Sequence, residues 1–280
     1  MPEKLKTVVT RWIENFVLDY QDKKGINFWR KPLVGFADAE NPYILRLKEI
    51  VGPEHGLPKD VLPAVSIVIA CFVPFTRDLA RTNLVGEPYA SEEWALAYEV
   101  TNAMRGEVNQ ALIGFLEGKG YQGAVSPEAF TFDQKQLKSN WSHRHIAYAA
   151  GLGTFGVNNM LITEAGCCGR YTTVVTNLDV EPDSVCGEEQ CLYKKDGSCG
   201  VCVKHCPAGA LTLEGYDRHK CYDLLKLNAL KYTEFGSSYV NQYGEANSVG
   251  SEVCGKCVVY APCTCRGEEE PPKKLTGNGE

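Results

Sequence analysis

A chain of 280 residues with 44% apolar residues can bury one large core with a smaller unit beside it. Its net charge of −6 excludes a broad electrostatic attraction to nucleic acid. No apolar run is long enough to cross a bilayer, since the longest candidate, 61–75, contains Pro63 and Pro74; with no signal-peptide pattern and no twin-arginine signal, a cytoplasmic protein without membrane partners is expected.

Along residues 4–20, Leu5, Val8, Val9, Trp12, Ile13, Phe16, Val17 and Tyr20 recur at helical spacing and predict an amphipathic helix packed on its own domain. Residues 22–62 are rich in glycine and proline and read as loops with one short helix around 43–50. The run AVSIVIACFV at 64–73 is β-branched with helix-breaking flanks and predicts a central strand buried on both faces. From Ser91, a candidate N-cap followed by Glu92 and Glu93, a long helix is expected to run to Gly118. Short strands at 121–125 and 171–176 and a helix at 142–150 complete an expected α/β layer domain over residues 1–180.

From 181 the texture changes. Thirteen cysteines are many for a cytosolic chain, and eight fall into two groups. Cys191, Cys199, Cys202 and Cys206 lie close together with Pro207 after the last; Cys221, Cys254, Cys257 and Cys263 follow. A four-iron cluster needs four thiolates around a compact cage, and eight thiols with a C-x3-C-P ending suit two [4Fe–4S] clusters. The seven residues between Cys191 and Cys199 depart from the usual spacing, and Cys186 is an alternative first ligand. Structural zinc is the competing reading of the C-x2-C pairs. A disulfide framework conflicts with a reducing compartment. Residues 181–266 are expected to form a small double-cluster domain cross-linked by its metal, and residues 267–280 a disordered polar tail.

A second informative stretch, 139–163, reads SNWSHRHIAYAAGLGTFGVNNMLIT. Gly151, Gly153 and Gly156 could let a large ligand lie against bare backbone. Their spacing is G-x-G-x-x-G, but they follow a helix where a dinucleotide fingerprint needs a strand.

The segment HRHIAYAAGLGTFGVNNMLIT, with Gly169-Arg170, VVTNLDVEPD and the cysteine groups ending GKCVVYAPC, resembles the epoxyqueuosine reductase family, relatives of the reductive dehalogenases. VLPAVSIVIACFVPF is similar to that family's early strand, so the resemblance spans roughly residues 60–265. It implies an α/β, nitroreductase-like domain holding cobalamin and a ferredoxin-like 2[4Fe–4S] domain that passes electrons to the cobalt. Carried over by position, Cys191, Cys199, Cys202 and Cys263 would hold one cluster, and Cys206, Cys221, Cys254 and Cys257 the other. Gly151, Gly153, Gly156 and Asn158 would border cobalamin. Three features depart from the family. No acidic residue occupies the proton-donor position without an insertion, which makes Asp133 the nearest candidate. Gly166-Cys167-Cys168-Gly169 is unusual there, and the chain is expected to lack the C-terminal helical repeats of some tRNA-modifying members. Net acidity argues further against tRNA.

Candidate proton donors ahead of the glycines are His143, His145, Tyr148 and Asp133. On a helix, positions 143 and 145 do not share a face, so at most one histidine can serve a given pocket. Arg170 reads either as an anchor for a cofactor or as the partner of an acid. Cys167 and Cys168 read as a reactive pair or as small residues in a loop. The expected function is an iron–sulfur reductase that passes electrons from an external donor of ferredoxin or flavodoxin type, through two clusters and cobalamin, to a small organic substrate. An electron-transfer protein without its own substrate and a flavin-dependent reductase are the alternatives.

Overall fold

The structure, a computed structural model, describes residues 4–126, 132–133, 135–238, 246 and 248–267. Helix α1 (Leu5–Lys24) leads to strand β1 (Leu33–Asp38), the short helices α2 (Pro42–Leu45), α3 (Leu47–Ile50) and α4 (Pro58–Val61), and strand β2 (Ile67–Pro74). Helices α5 (Arg77–Thr82) and α6 (Glu92–Glu117) follow, then strands β3 (Gly123–Ala124), β4 (Phe132–Asp133) and β5 (Lys138–Ser139). Helix α7 (His143–Ala149) precedes strands β6 (Gly153–Phe155), β7 (Leu161–Thr163) and β8 (Gly169–Thr176). The cysteine-rich segment carries α8 (Leu192–Asp196), α9 (Val201–Lys204), α10 (Arg218–Lys231), a 3-10 turn at Thr233–Phe235 and α11 (Lys256–Val259).

The central sheet has the order β1-β2-β8-β3, and every pairing is antiparallel. The expected mixed α/β layering is therefore built on an antiparallel sheet. β2 is buried along its whole length, and its alternation feeds two cores. Ile67, Ile69, Cys71 and Val73 pack with Val9, Ile13 and Val17 of α1 and with Met104, Val108 and Leu112 of α6. Val68, Ala70 and Phe72 face the opposite layer, with Ile44, Leu47, Trp141 and Ile146.

Local chemistry explains the long helices. Val9, Ile13, Val17 and Gln21 recur every fourth residue on the buried stripe of α1, which ends at Gly25 in the left-handed region (φ +64°). Ser91 Oγ accepts from Trp94 N at the start of α6, as its sequence predicts. Across 22–62 the short helix expected around 43–50 is met by α2 and α3, and the expectation of loops elsewhere is corrected by β1 and α4. Gly35 interrupts the apolar pattern of β1; a Cβ there would stand 2.6 Å from Ala150 O, so a glycine lets the end of α7 approach the strand.

The buried indole of Trp29 donates from Nε1 to Thr101 Oγ1 at 2.8 Å. Thr101→Val would keep the volume and orphan that donor. Chemical denaturation is expected to show a loss of about 1–3 kcal/mol; unchanged stability would mean that the bond contributes nothing.

The cysteine-rich segment shares the first core, to which it contributes Cys191, Tyr232, Val253, Val258 and Val259. Lys256 is fully buried, and its ammonium donates to Asn83 O (2.8 Å) and Val85 O (2.7 Å). Of the tail expected to be disordered, residues 268–280 lie outside the described residues. Among the described residues no helix is long and apolar enough to cross a membrane.

Candidate metal centre

The β6–β7 hairpin turns through 156–160: Gly156 N donates to Met160 O (2.8 Å), Asn159 N to Gly156 O (3.0 Å), and Arg144 of α7 grips Asn159 O. This turn forms one wall of a cavity. Gly156, Val157 and Asn158 line that wall, and the thiols of Cys191, Cys199, Cys202 and Cys263 line the rest together with apolar groups such as Leu192, Ala261 and Pro262. One end of the glycine segment and one thiol set thus belong to a single site.

The thiols press on one another. Burial, then the neighbouring Cys263, Cys191 and Cys199, push the Cys202 thiol up to about 11. A second set forms around α11. Burial first, with Cys221 and Cys206 adding, pushes Cys254 up to about 12. Cys257 is raised far above the usual thiol range by burial and then by Cys254, Cys221, Cys206 and Cys202. Cys202 belongs to the first set, so the two sets adjoin.

The donor chemistry fits iron–sulfur clusters. Among the described residues no three His, Cys, Asp or Glu side chains converge on a single metal position. Four thiols in an otherwise mostly apolar lining suit iron–sulfur chemistry. Beside the second set, Trp94 Nε1 is buried without a hydrogen-bond partner among the described residues. Its ring lies so close to Gly255 that a Cβ there would stand 2.4 Å from Nε1. An unmatched donor against the turn joining Cys254 and Cys257 is what a cluster's sulfur atoms would satisfy. Lys256, in the same turn, adds a buried positive charge. In the sequence Lys256 stands between Cys254 and Cys257, whereas Trp94 lies far earlier and carried no signal for this site.

The residues named for cobalamin do not form a cradle. A Cβ on Gly151 would lie 2.2 Å from Ser184 O, and one on Gly153 would lie 2.0 Å from Ile162 O. Gly156 is closed by Asn158 Oδ1 and Ile162 Cδ1, each 2.8 Å from such a Cβ. On the side where a Cβ would stand, each of these three glycines is covered by the chain itself. Asn158 is buried on the thiol cavity, and Arg170 bonds Asn102 Oδ1 (2.8 and 3.1 Å) and stacks over Tyr98.

The proton-donor candidates scatter. Asp133 is half-buried; its carboxylate accepts from Gln136 N and Lys135 N, and those bonds hold it below the usual carboxylate range. His143 Nδ1 meets Thr173 Oγ1 at 2.9 Å, and burial, then Arg105 and Arg170, keep the ring neutral. His145 meets Ser142 Oγ at 2.6 Å; burial and Arg144 lower it to about 4. Tyr148 packs on Tyr43 and Phe155. None of these four lines the thiol cavity, and burial lowers both histidines below the usual imidazole range.

The histidine shift has a measurable consequence. The folded form of His145 binds its proton more weakly than the unfolded chain, so its stabilisation is complete above pH 6.5 and is lost as pH falls toward 4. Denaturation across that window is expected to show about 2 kcal/mol less acid loss in His145→Gln than in wild type. Equal losses would mean that His145 is not held neutral.

An antiparallel sheet between two helical layers is a mixed α/β fold found in solved reductases. Epoxyqueuosine reductases share it. A selenomethionine-labelled crystal structure of epoxyqueuosine reductase matches with a TM-score of 0.51 and 20% identity over 91% of this chain and 66% of that one. The Bacillus subtilis enzyme, with its catalytic loop swung out of the active site, matches with the same TM-score, identity and coverage. Epoxyqueuosine reductase solved with an epoxyqueuosine-modified tRNA-Tyr stem loop matches with a TM-score of 0.50, 20% identity and the same coverage. The mixed α/β fold expected from the sequence resemblance is thus observed, and this chain spans 66% of the length of those reductases. One of these reductases was solved with a tRNA stem loop, so the fold by itself carries no argument against tRNA. No family model matches the chain, and no curated protein matches it.

Proposed function

We propose that this protein is an iron–sulfur reductase holding two [4Fe–4S] clusters on eight thiols and delivering electrons from an external donor to a small organic acceptor. The observation that carries the reading is the cavity lined by four thiols beside a second, adjoining thiol set. Cys191, Cys199, Cys202 and Cys263 would hold one cluster, and Cys206, Cys221, Cys254 and Cys257 the other. When bound, the clusters supply one-electron transfer. The chain's residues do the rest. Asn158 lines the cavity of the first set, and its Nδ2 lies 3.5 Å from Cys257 O of the second. Burial around Cys254 and Cys257 excludes water, and the Lys256 ammonium offsets negative charge on the second set. The ferredoxin-like character of residues 181–266 and a donor of ferredoxin or flavodoxin type belong to this proposal. No step is routed through cobalamin, because the residues named for it are engaged in packing.

The test is re-oxidation. Anaerobically reconstituted protein, reduced by flavodoxin, is expected to show reduced-cluster EPR signals that an epoxide such as epoxyqueuosine nucleoside discharges. Clusters that reduce but discharge to no epoxide would leave an electron-transfer protein and refute the reductase reading. A corrin spectral change on adding cobalamin would restore the cobalt step.

A further inference from the structure

Cys167 is not among the eight thiols, yet it lies against one of them. It is fully buried, with Sγ 3.8 Å from Cys263 Sγ. Backbone bonds fix the pair side by side: Cys167 N donates to Cys263 O (2.8 Å) and Cys168 N to Thr264 O (3.1 Å). Gly166 makes the approach possible. Its φ is +99°, and a Cβ there would stand 2.3 Å from Thr264 O.

The direction of the contact follows from Asn158. Its Oδ1 accepts from Met160 N at 3.1 Å, which leaves Nδ2 facing Cys167 Sγ at 3.6 Å. An amide nitrogen only donates, so the Cys167 sulfur is the acceptor there and its own S–H is free for Cys263. The chain of donors runs from amide to thiol to ligand sulfur.

We propose that Cys167 is a positioning residue for the first thiol set: its S–H donates to the sulfur of Cys263 and raises the reduction potential of the cluster that Cys263 helps hold. The inference rests on the two-cluster reading. A hydrogen bond to a ligand sulfur withdraws electron density and favours the reduced, more negative cluster.

The experiment is an EPR-monitored redox titration of the reconstituted full chain as wild type, Cys167→Ala and Cys167→Ser, with iron counted in each. Alanine is expected to keep the wild-type iron content and to lower the potential of one cluster only, by a tenfold change in its one-electron equilibrium, about 59 mV. Serine, whose hydroxyl still donates, is expected to restore it. Should alanine fail to fold, Cys167→Val removes the donor while filling the space and is expected to show the same fall. An unchanged potential at full iron content overturns the inference, as does a loss of about four irons, which would make Cys167 itself a ligand. A wild type without iron overturns the two-cluster reading beneath it.

Discussion

Cys202→Ala is expected to bring the reconstituted protein from about eight irons to about four. Cys202 stands at the centre of the first thiol set, where Cys263, Cys191 and Cys199 all act on it, and it lines the cavity with them. Serine at the same position is a weaker ligand for a soft site and is expected to lower the iron content as well. The second set does not depend on Cys202 for a ligand, so its EPR signal should persist. Thermal stability should fall too, because a metal that binds only the folded state stabilises it by mass action. Loss of all iron would mean that the two sets form one cooperative site; retention of all iron would remove Cys202 from the ligands.

Gly153→Ala is expected to destabilise the protein by about 3 kcal/mol or more, among the largest effects open to a single methyl group. The added Cβ would stand 2.0 Å from Ile162 O and 2.7 Å from Ile162 C, backbone atoms of the partner strand in the β6–β7 hairpin. Neither strand can yield without moving the turn that carries Gly156 and Asn158. The result separates two roles for the glycine. If it packs strand against strand, the loss appears in denaturation before any ligand is added. If it floors a ligand, the variant folds normally and only binding weakens. Gly200→Ala is the control, since its Cβ would meet only Leu213 Cδ2 at 3.9 Å.

Elements governed by local chemistry were legible in the sequence. The β-branched run in β2 needs no partner to declare itself buried, and the Ser91 cap with its long apolar stripe defines α6. The resemblance carried by the glycine and cysteine segments gave the fold. Features set by distant neighbours were not legible. β1 is broken by Gly35, whose reason is Ala150 O, more than a hundred residues away. Glycines at 151, 153 and 156 look alike whether they admit a ligand or admit Ser184 and Ile162, and only the tertiary structure separates the cases. The histidines ahead of them have the right chemistry for acids, but burial and nearby arginines suppress it. Cys167 read as one of two adjacent small residues until its backbone pairing with Cys263, 96 positions on, came into view.

Counting metal and acid-labile sulfide in the anaerobically reconstituted wild type tests the central claim most directly. Two clusters on eight thiols predict about eight irons and eight sulfides per chain, with two reducible EPR-active centres. Stoichiometric zinc with no sulfide would contradict it.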